Sequence, residues 1–174
     1  MKTSNKKKGI GLFLDIIMFA ILVYIDQITK NLAVTHLKDK PAFVLMDGVF
    51  ELHYLENRGA AFGMLQNQKM LFVVIAVVML AVIAYMLFKL PRTKHFIPLE
   101  ILLVLVAAGA VGNLIDRVNL NYVVDFFYFK LIDFPIFNVA DIYITCSCFV
   151  LVLLMFFYYS DEDMEQIAFF KRKD

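Results

Sequence analysis

Several of the residues that carry common enzyme chemistry are scarce in this chain. There are two cysteines and three histidines among 174 residues. Cys146 and Cys148 stand two apart in an apolar stretch and point to different helix faces. That disfavours a disulfide, and no second pair exists for a framework or a metal site. They read as small polarizable packing groups. His36, His53 and His95 do not cluster, and no H-E-x-x-H motif occurs, so neither metal nor other cofactor is expected. Ser147 lies in an apolar run without a base in sequence reach, and Ser160 ends that run. Serine and cysteine nucleophile mechanisms therefore lack support. Net charge is only +1 and no single face gathers the basic residues, which argues against a nucleic-acid partner. With no linker, low-complexity tract or clear repeat, residues 1–174 read as a single domain.

What the chain does have is apolar length. It is 61% hydrophobic with a mean hydropathy of +0.74, too apolar for a soluble domain of this size. Uncharged runs count the spans. Residues 70–88 and 142–160 carry no charge, 96–115 only Glu100, and 9–25 only Asp15. A membrane-crossing helix needs roughly 17 to 25 such residues. We expect a membrane α-helical protein with four spans, at about 10–26, 70–88, 96–115 and 141–159. Asp26 and Lys30 come directly after the first. That span follows the basic head MKTSNKKKG, as a cleaved signal peptide would. No convincing small-x-small site follows it, so an uncleaved span is expected. Asp15 and Glu100 fall toward one end of the bundle and read as helix-end or snorkelling charges.

Basic residues cluster at Lys2 and Lys6–Lys8, at Lys89, Arg92 and Lys94, and at Lys171–Lys173. By the positive-inside bias these segments, and with them both termini, are expected to be cytoplasmic. The two longer connections, about 30–69 and 116–138, then face outward.

The first outer connection contains FVLMDGVFELHYLEN, with Asp47-Gly48 between two β-prone runs. This is the hairpin signal of a type I′ turn, whose central residues both need φ > 0. Phe50, Leu52 and Tyr54 alternate with Glu51 and His53, so a small β region at about 42–56 would have one apolar and one polar face. NRGAAFG follows. Gly59, Ala60, Ala61 and Gly63 allow close backbone approach there, and Asn57 offers both a donor and an acceptor. An ordinary polar turn is the competing reading of that stretch.

The second outer connection starts GNLIDRV and ends FNVAD. Asn113 and Arg117 are i,i+4 and share a helix face. Asp116 reads as a structural ion pair with Arg117 or a neighbour. Asn138 is a good N-cap with Asp141 at N3, as in a capping box, so Asp141 has a structural explanation in the helix dipole. Asp125, inside VVDFFYF, has none: a carboxylate there needs a partner or a task. Two carboxylates that a short connection can bring together suit an aspartic mechanism. One keeps a proton and the other activates water.

These stretches carry a resemblance. DQITK at Asp26–Lys30, NRGAAFG at Asn57–Gly63, GNLIDR at Gly112–Arg117, and VVDF with FNVAD between Val123 and Asp141 resemble the lipoprotein signal peptidase (signal peptidase II) family of bacterial inner membranes. Their order and spacing relative to the four spans agree with it. The resemblance implies an outer β-cradle between spans 1 and 2. It also implies cleavage of diacylglyceryl-modified prolipoproteins on the amino side of the lipidated cysteine. Asp125 and Asp141 match the catalytic dyad. Asn57, Gly59, Asn113, Arg117 and Asn138 match site-lining positions, and Asp26 and Lys30 match supporting ones. Membrane lipid and globomycin-type inhibitors are the expected contacts, and a monomer is expected. One departure is Ile142, where the family often has a small or hydroxyl residue. A small transporter and a non-enzymatic assembly factor are the competing classes. The first would use the membrane-embedded charges as an ion path, yet no inverted repeat with broken helices is evident.

Overall fold

The computed structural model describes residues 2–59 and 68–167. Ala60, Ala61 and Gly63 of the glycine-rich motif, and Lys171–Lys173 of the basic tail, lie outside the described residues. The element order is α1 (Lys2–Leu37), β1 (Phe43–Met46), β2 (Phe50–Asn57), α2 (Lys69–Lys89), α3 (Ile97–Leu120), β3 (Val123–Tyr128), α4 (Val139–Phe157) and α5 (Asp161–Ile167). Four of the helices are long and apolar enough to cross a membrane: Gly9–Leu37, Lys69–Lys89, Lys94–Leu120 and Val139–Phe157. The expected fold class therefore holds.

The first span departs from the sequence reading, which ends it near Asp26. The helix continues to Leu37, and both Asp26 and Lys30 are buried inside it. A charged i,i+4 pair looks like the end of an apolar run; here the two charges satisfy each other, at 2.9 Å. Asp15 and Glu100 also differ from expectation. Neither reaches for water: both bond the Arg92 guanidinium from the link before α3, Asp15 at 2.6 Å, and Asp15 is buried. Cys146 and Cys148 are free and exposed on α4 rather than packed in the interior.

α3 is the central post. It packs against α1, α2 and α4 and buries twelve residues between Leu99 and Asp116. Small residues let its neighbours approach, as membrane helix packing requires where apolar burial gives little drive. At Gly112 a β-carbon would lie 2.3 Å from Asp26 Oδ2, so no side chain fits. Lys69, at the head of α2, ties off the last turn of α3 by donating to Val118 O at 3.2 Å and Asn121 Oδ1 at 2.7 Å.

At one end of the bundle lies a three-stranded antiparallel sheet in the order β1-β2-β3. It draws on both long connections rather than only the one between spans 1 and 2, because VVDFFY supplies the third strand. The β1–β2 turn is not type I′. Gly48 has φ 69, Asp47 is not in the left-handed region, and Val49 N–H donates to Met46 O at 3.0 Å. Only the third turn position needs positive φ in such a turn. Ala33, Leu37, Val124 and Phe126 form the apolar cluster that joins the sheet to α1.

Gly112→Ala should lower the thermal stability of the detergent-solubilised protein by about 1–3 kcal/mol through overpacking against a carboxylate that cannot move away. Gly9→Ala, with open space around its site, should be neutral or stabilising by up to about 1 kcal/mol. Equal stabilities for the two variants would show that the helices separate freely at Gly112.

Candidate active site

Asp125 sits mid-strand in β3, opposite Leu55 of β2, between the buried residues Val124 and Phe126. The strand's alternation turns its carboxylate toward the helix bundle. Asn57, the last residue of β2, donates its amide to Asp125 Oδ2 at 2.8 Å, and its own Oδ1 receives the Gly59 N–H at 3.0 Å. Asp141 comes from the first turn of α4. The capping box expected there is present: Asp141 N–H donates to Asn138 Oδ1 and Asn138 N–H donates to Asp141 Oδ2, both at 3.1 Å.

Two asparagine amides join the carboxylates. Asn138 Nδ2 donates to Asp125 Oδ1 at 2.7 Å and to Asn113 Oδ1 at 3.0 Å. Asn113 Nδ2 donates to Asp141 Oδ1 at 2.8 Å. The direction of each amide is fixed. Asn138 Oδ1 is occupied by the cap, and Asn113 Oδ1 accepts from Lys30 Nζ at 2.9 Å as well. A flip of either side chain would set donor against donor. Both carboxylates therefore face hydrogen-bond donors. Burial, and next the facing Asp141, push Asp125 up to about 7 from its ordinary 3.8, outweighing the Asn57 and Asn138 bonds that act the other way.

Asp125 and Asp141 open on one cleft of about 690 Å³, which Asn57, Gly59, Asn113 and Arg117 also line. Its roof is aromatic: Phe50, Phe127, Phe129, Phe134 and Phe137 contact one another with ring centres 4.8–6.0 Å apart. Its α4 wall is Ile142, Thr145 and Cys146. Arg117 forms no ion pair with Asp116, which bonds Lys30 instead, at 3.1 Å. The Arg117 guanidinium donates to Asn113 O at 3.4 Å and Gly59 O at 3.3 Å, and lies 4.5 Å from the centre of the Phe72 ring. It braces the cleft wall between α3 and the chain after β2.

The sequence-derived candidates thus gather in two layers. Asp125, Asp141, Asn57, Gly59, Asn113 and Arg117 line the cleft, while Asn138, Asp26 and Lys30 lie buried behind it. Sequence reasoning missed Gln27, whose amide donates to Asp26 Oδ2, Gly112 O and Asp116 Oδ1 at 3.1–3.2 Å. Its only signal was its place inside DQITK. The aromatic roof was also missed, because its rings come from β2, β3 and the connection to α4. Among the described residues no group of histidine, cysteine and acidic side chains could hold a metal ion.

Comparison with known proteins decides the family. Residues 18–157 match the family described as Signal peptidase (SPase) II. The chain belongs to the signal peptidase II family. Relatives include a lipoprotein signal peptidase of Caldanaerobacter subterraneus subsp. tengcongensis, 46% identical over 82% of this chain and 95% of its own length. Another, from Clostridioides difficile, is 37% identical over 83% of this chain and 96% of its own. A bacterial membrane enzyme solved by the in meso method at 2.3 Å superposes with a TM-score of 0.75 at 28% identity, covering 92% of this chain and 94% of that one. Signal peptidase II membership makes the chain a membrane aspartic peptidase, and the four apolar helices make it multi-pass.

Arg117→Lys keeps the charge but loses the planar fork and its stacking on Phe72. Initial-rate peptidase assays should show a loss of about tenfold or more, the equivalent of one or two such hydrogen bonds. Full activity would exclude a role for the guanidinium geometry.

Proposed function

We propose that this chain removes signal peptides from diacylglyceryl-modified prolipoproteins, cutting on the amino side of the lipidated cysteine, with Asp125 and Asp141 as the catalytic pair. The observation that carries this reading is the shared cleft: two carboxylates, linked through Asn113 and Asn138, with one of them holding its proton to about pH 7. Names of the curated relatives support the substrate class.

In the proposed reaction Asp125 carries the shared proton and Asp141 is the base. A water gives its proton to Asp141 while its oxygen bonds to the scissile carbonyl carbon. Asp125 hydrogen-bonds to the carbonyl oxygen as that oxygen gains charge. Collapse of the tetrahedral species breaks the C–N bond, and the proton on Asp141 passes to the leaving amine of the lipidated cysteine. Asn57 and Asn138 hold Asp125 in place, and Asn113 holds Asp141.

The substrate brings its own membrane anchor, with each buried CH₂ worth about 0.8 kcal/mol. A dyad at the outer edge of a bacterial inner membrane leaves the acyl chains in the bilayer while water still reaches the cleft. With both termini in the cytoplasm, as the basic segments suggest, the sheet and cleft lie at that outer face. Monomeric action and inhibition by globomycin-type compounds belong to the same reading.

Asp125→Asn and Asp141→Asn should each reduce cleavage of a diacylglyceryl-modified prolipoprotein by at least about 10³-fold. The unlipidated substrate should be cut poorly by the parent. Retained cleavage in either variant would sink the dyad. For pH, the sign follows from the raised value. Folded Asp125 keeps its proton up to about 7 while the unfolded chain loses it near 3.8. Asp125 therefore adds its full stability only below about 3.8, and the addition shrinks as pH rises from there and is lost once pH passes about 7. The parent should lose thermal stability between about pH 4 and pH 7, and rate as pH rises through about 7. The stability of Asp125→Asn should lack that slope, as a pH series of unfolding midpoints would show.

A further inference from the structure

The pair of aspartates is mounted on a second pair. Asp116 Oδ2 accepts the backbone N–H of Val124, the residue directly before Asp125, at 3.1 Å. Asp26 Oδ1 accepts the backbone N–H of Ala140, the residue directly before Asp141, at 3.0 Å. Each buried carboxylate thus clamps the chain one residue ahead of one site aspartate. The two clamps are tied to each other. Lys30 Nζ lies 2.9 Å from Asp26 Oδ2, 3.1 Å from Asp116 Oδ2 and 2.9 Å from Asn113 Oδ1. An ammonium has three protons, so all three are committed and Lys30 has no free direction. Gln27 supplies a second tie, from one amide nitrogen to Asp26 and Asp116. Asp26, Lys30 and Asp116 are all at most 4% exposed.

We infer that Asp26 and Asp116 are a matched pair of positioning residues, coupled through Lys30 and Gln27, that set the separation of Asp125 and Asp141. An ion pair that only stabilised the bundle would have no need to end on those two amides. They come from a strand and a helix that are otherwise joined by the asparagine bridge and by the Phe127–Phe137 backbone pairing. The jig reaches the site twice, through the two backbone amides and through Lys30 on Asn113, and α1 and α3 carry both routes. The inference rests on the dyad reading above and assigns Asp116 and Gln27 to the machinery of the reaction.

The test is a double-mutant cycle on kcat and KM in detergent, with a diacylglyceryl-modified prolipoprotein as substrate and with folded protein quantified in each sample. Asp26→Asn and Asp116→Asn keep an acceptor for the backbone amide but set an NH₂ against Lys30 or Gln27. A misplacement of about 1 Å should lower kcat about 10²-fold, with KM within about threefold of the parent, since substrate binding is not the function lost. Because one jig is broken by either change, the double variant should be little slower than the slower single variant. Losses that add in log kcat, or a change in KM alone, would overturn the inference. If the Asn variants do not fold, Gln27→Met removes the neutral tie without stranding a charge. Its kcat should fall about tenfold, and an unchanged kcat would equally overturn it. Asp125→Asn and Asp141→Asn run alongside. Cleavage by these would fell the dyad reading itself, whereas inactive dyad variants beside a jig variant with parental kcat would fell only the jig.

Discussion

Lys30 is the group on which the rest depends. An ammonium taken out of water costs several kcal/mol, and that cost is met only where its geometry and hydrogen bonding are complete. Here the completion comes from α1 through Asp26 and from α3 through Asp116 and Asn113. One ammonium faces two carboxyl groups, and the backbone amides of Val124 and Ala140 with the Gln27 side chain donate to them as well. Shifting any one of these elements strands a buried charge. That requirement fixes how α1, α3, β3 and the head of α4 meet, and Gly112 is the space that lets Asp26 reach the meeting point.

The same physics appears at the other end of the bundle. Arg92 bonds both Asp15 and Glu100 where the link from α2 enters α3. Helices in lipid gain little from burying apolar surface against each other, because the bilayer is as apolar as they are. Close approach at small residues and a few polar contacts must then define the arrangement. Two ion clusters, one at each end of α3, the Lys30 one buried and the Arg92 one partly so, fix both its neighbours and its depth, while an apolar series that includes Leu99, Leu103 and Ala107 packs between them.

What was legible in the sequence was local. Uncharged runs marked four helices because lipid tolerates little else, and the Asn138–Asp141 box was readable because its partners are three residues apart. Asp125 stood out as a charge in an apolar strand. The illegible parts depend on partners far along the chain. Asp26 and Lys30 looked like the end of a span because Asp116, 86 positions on from Lys30, is what makes a charge tolerable there. Asp15 and Glu100 looked like snorkelling charges until Arg92 reached both. The third strand was visible as a β-branched run, but its pairing with β2 is a tertiary fact. Asp116 lay in a recognised motif and was still misread in part. Arg117, next to it, seemed the obvious partner, whereas a helix points consecutive residues in different directions.

The two site aspartates differ in their seats, and the difference follows from secondary structure. Asp141 is at N3 of a long helix, where free backbone N–H groups and the dipole favour a carboxylate. Asp125 is in a strand, whose dipoles alternate and give no such field, between two buried apolar neighbours. Burial and the nearby Asp141 therefore push the strand carboxyl of Asp125 up. Under the proposed reaction, the strand–helix pairing would give the two carboxyls unequal seats before any substrate arrives. Of the two elements only the strand has to be supported from outside itself, since a helix satisfies its own backbone. That is why β3 is paired with β2, clamped by Asp116 at Val124 and bridged at Phe127 to Phe137, the residue just before the α4 cap.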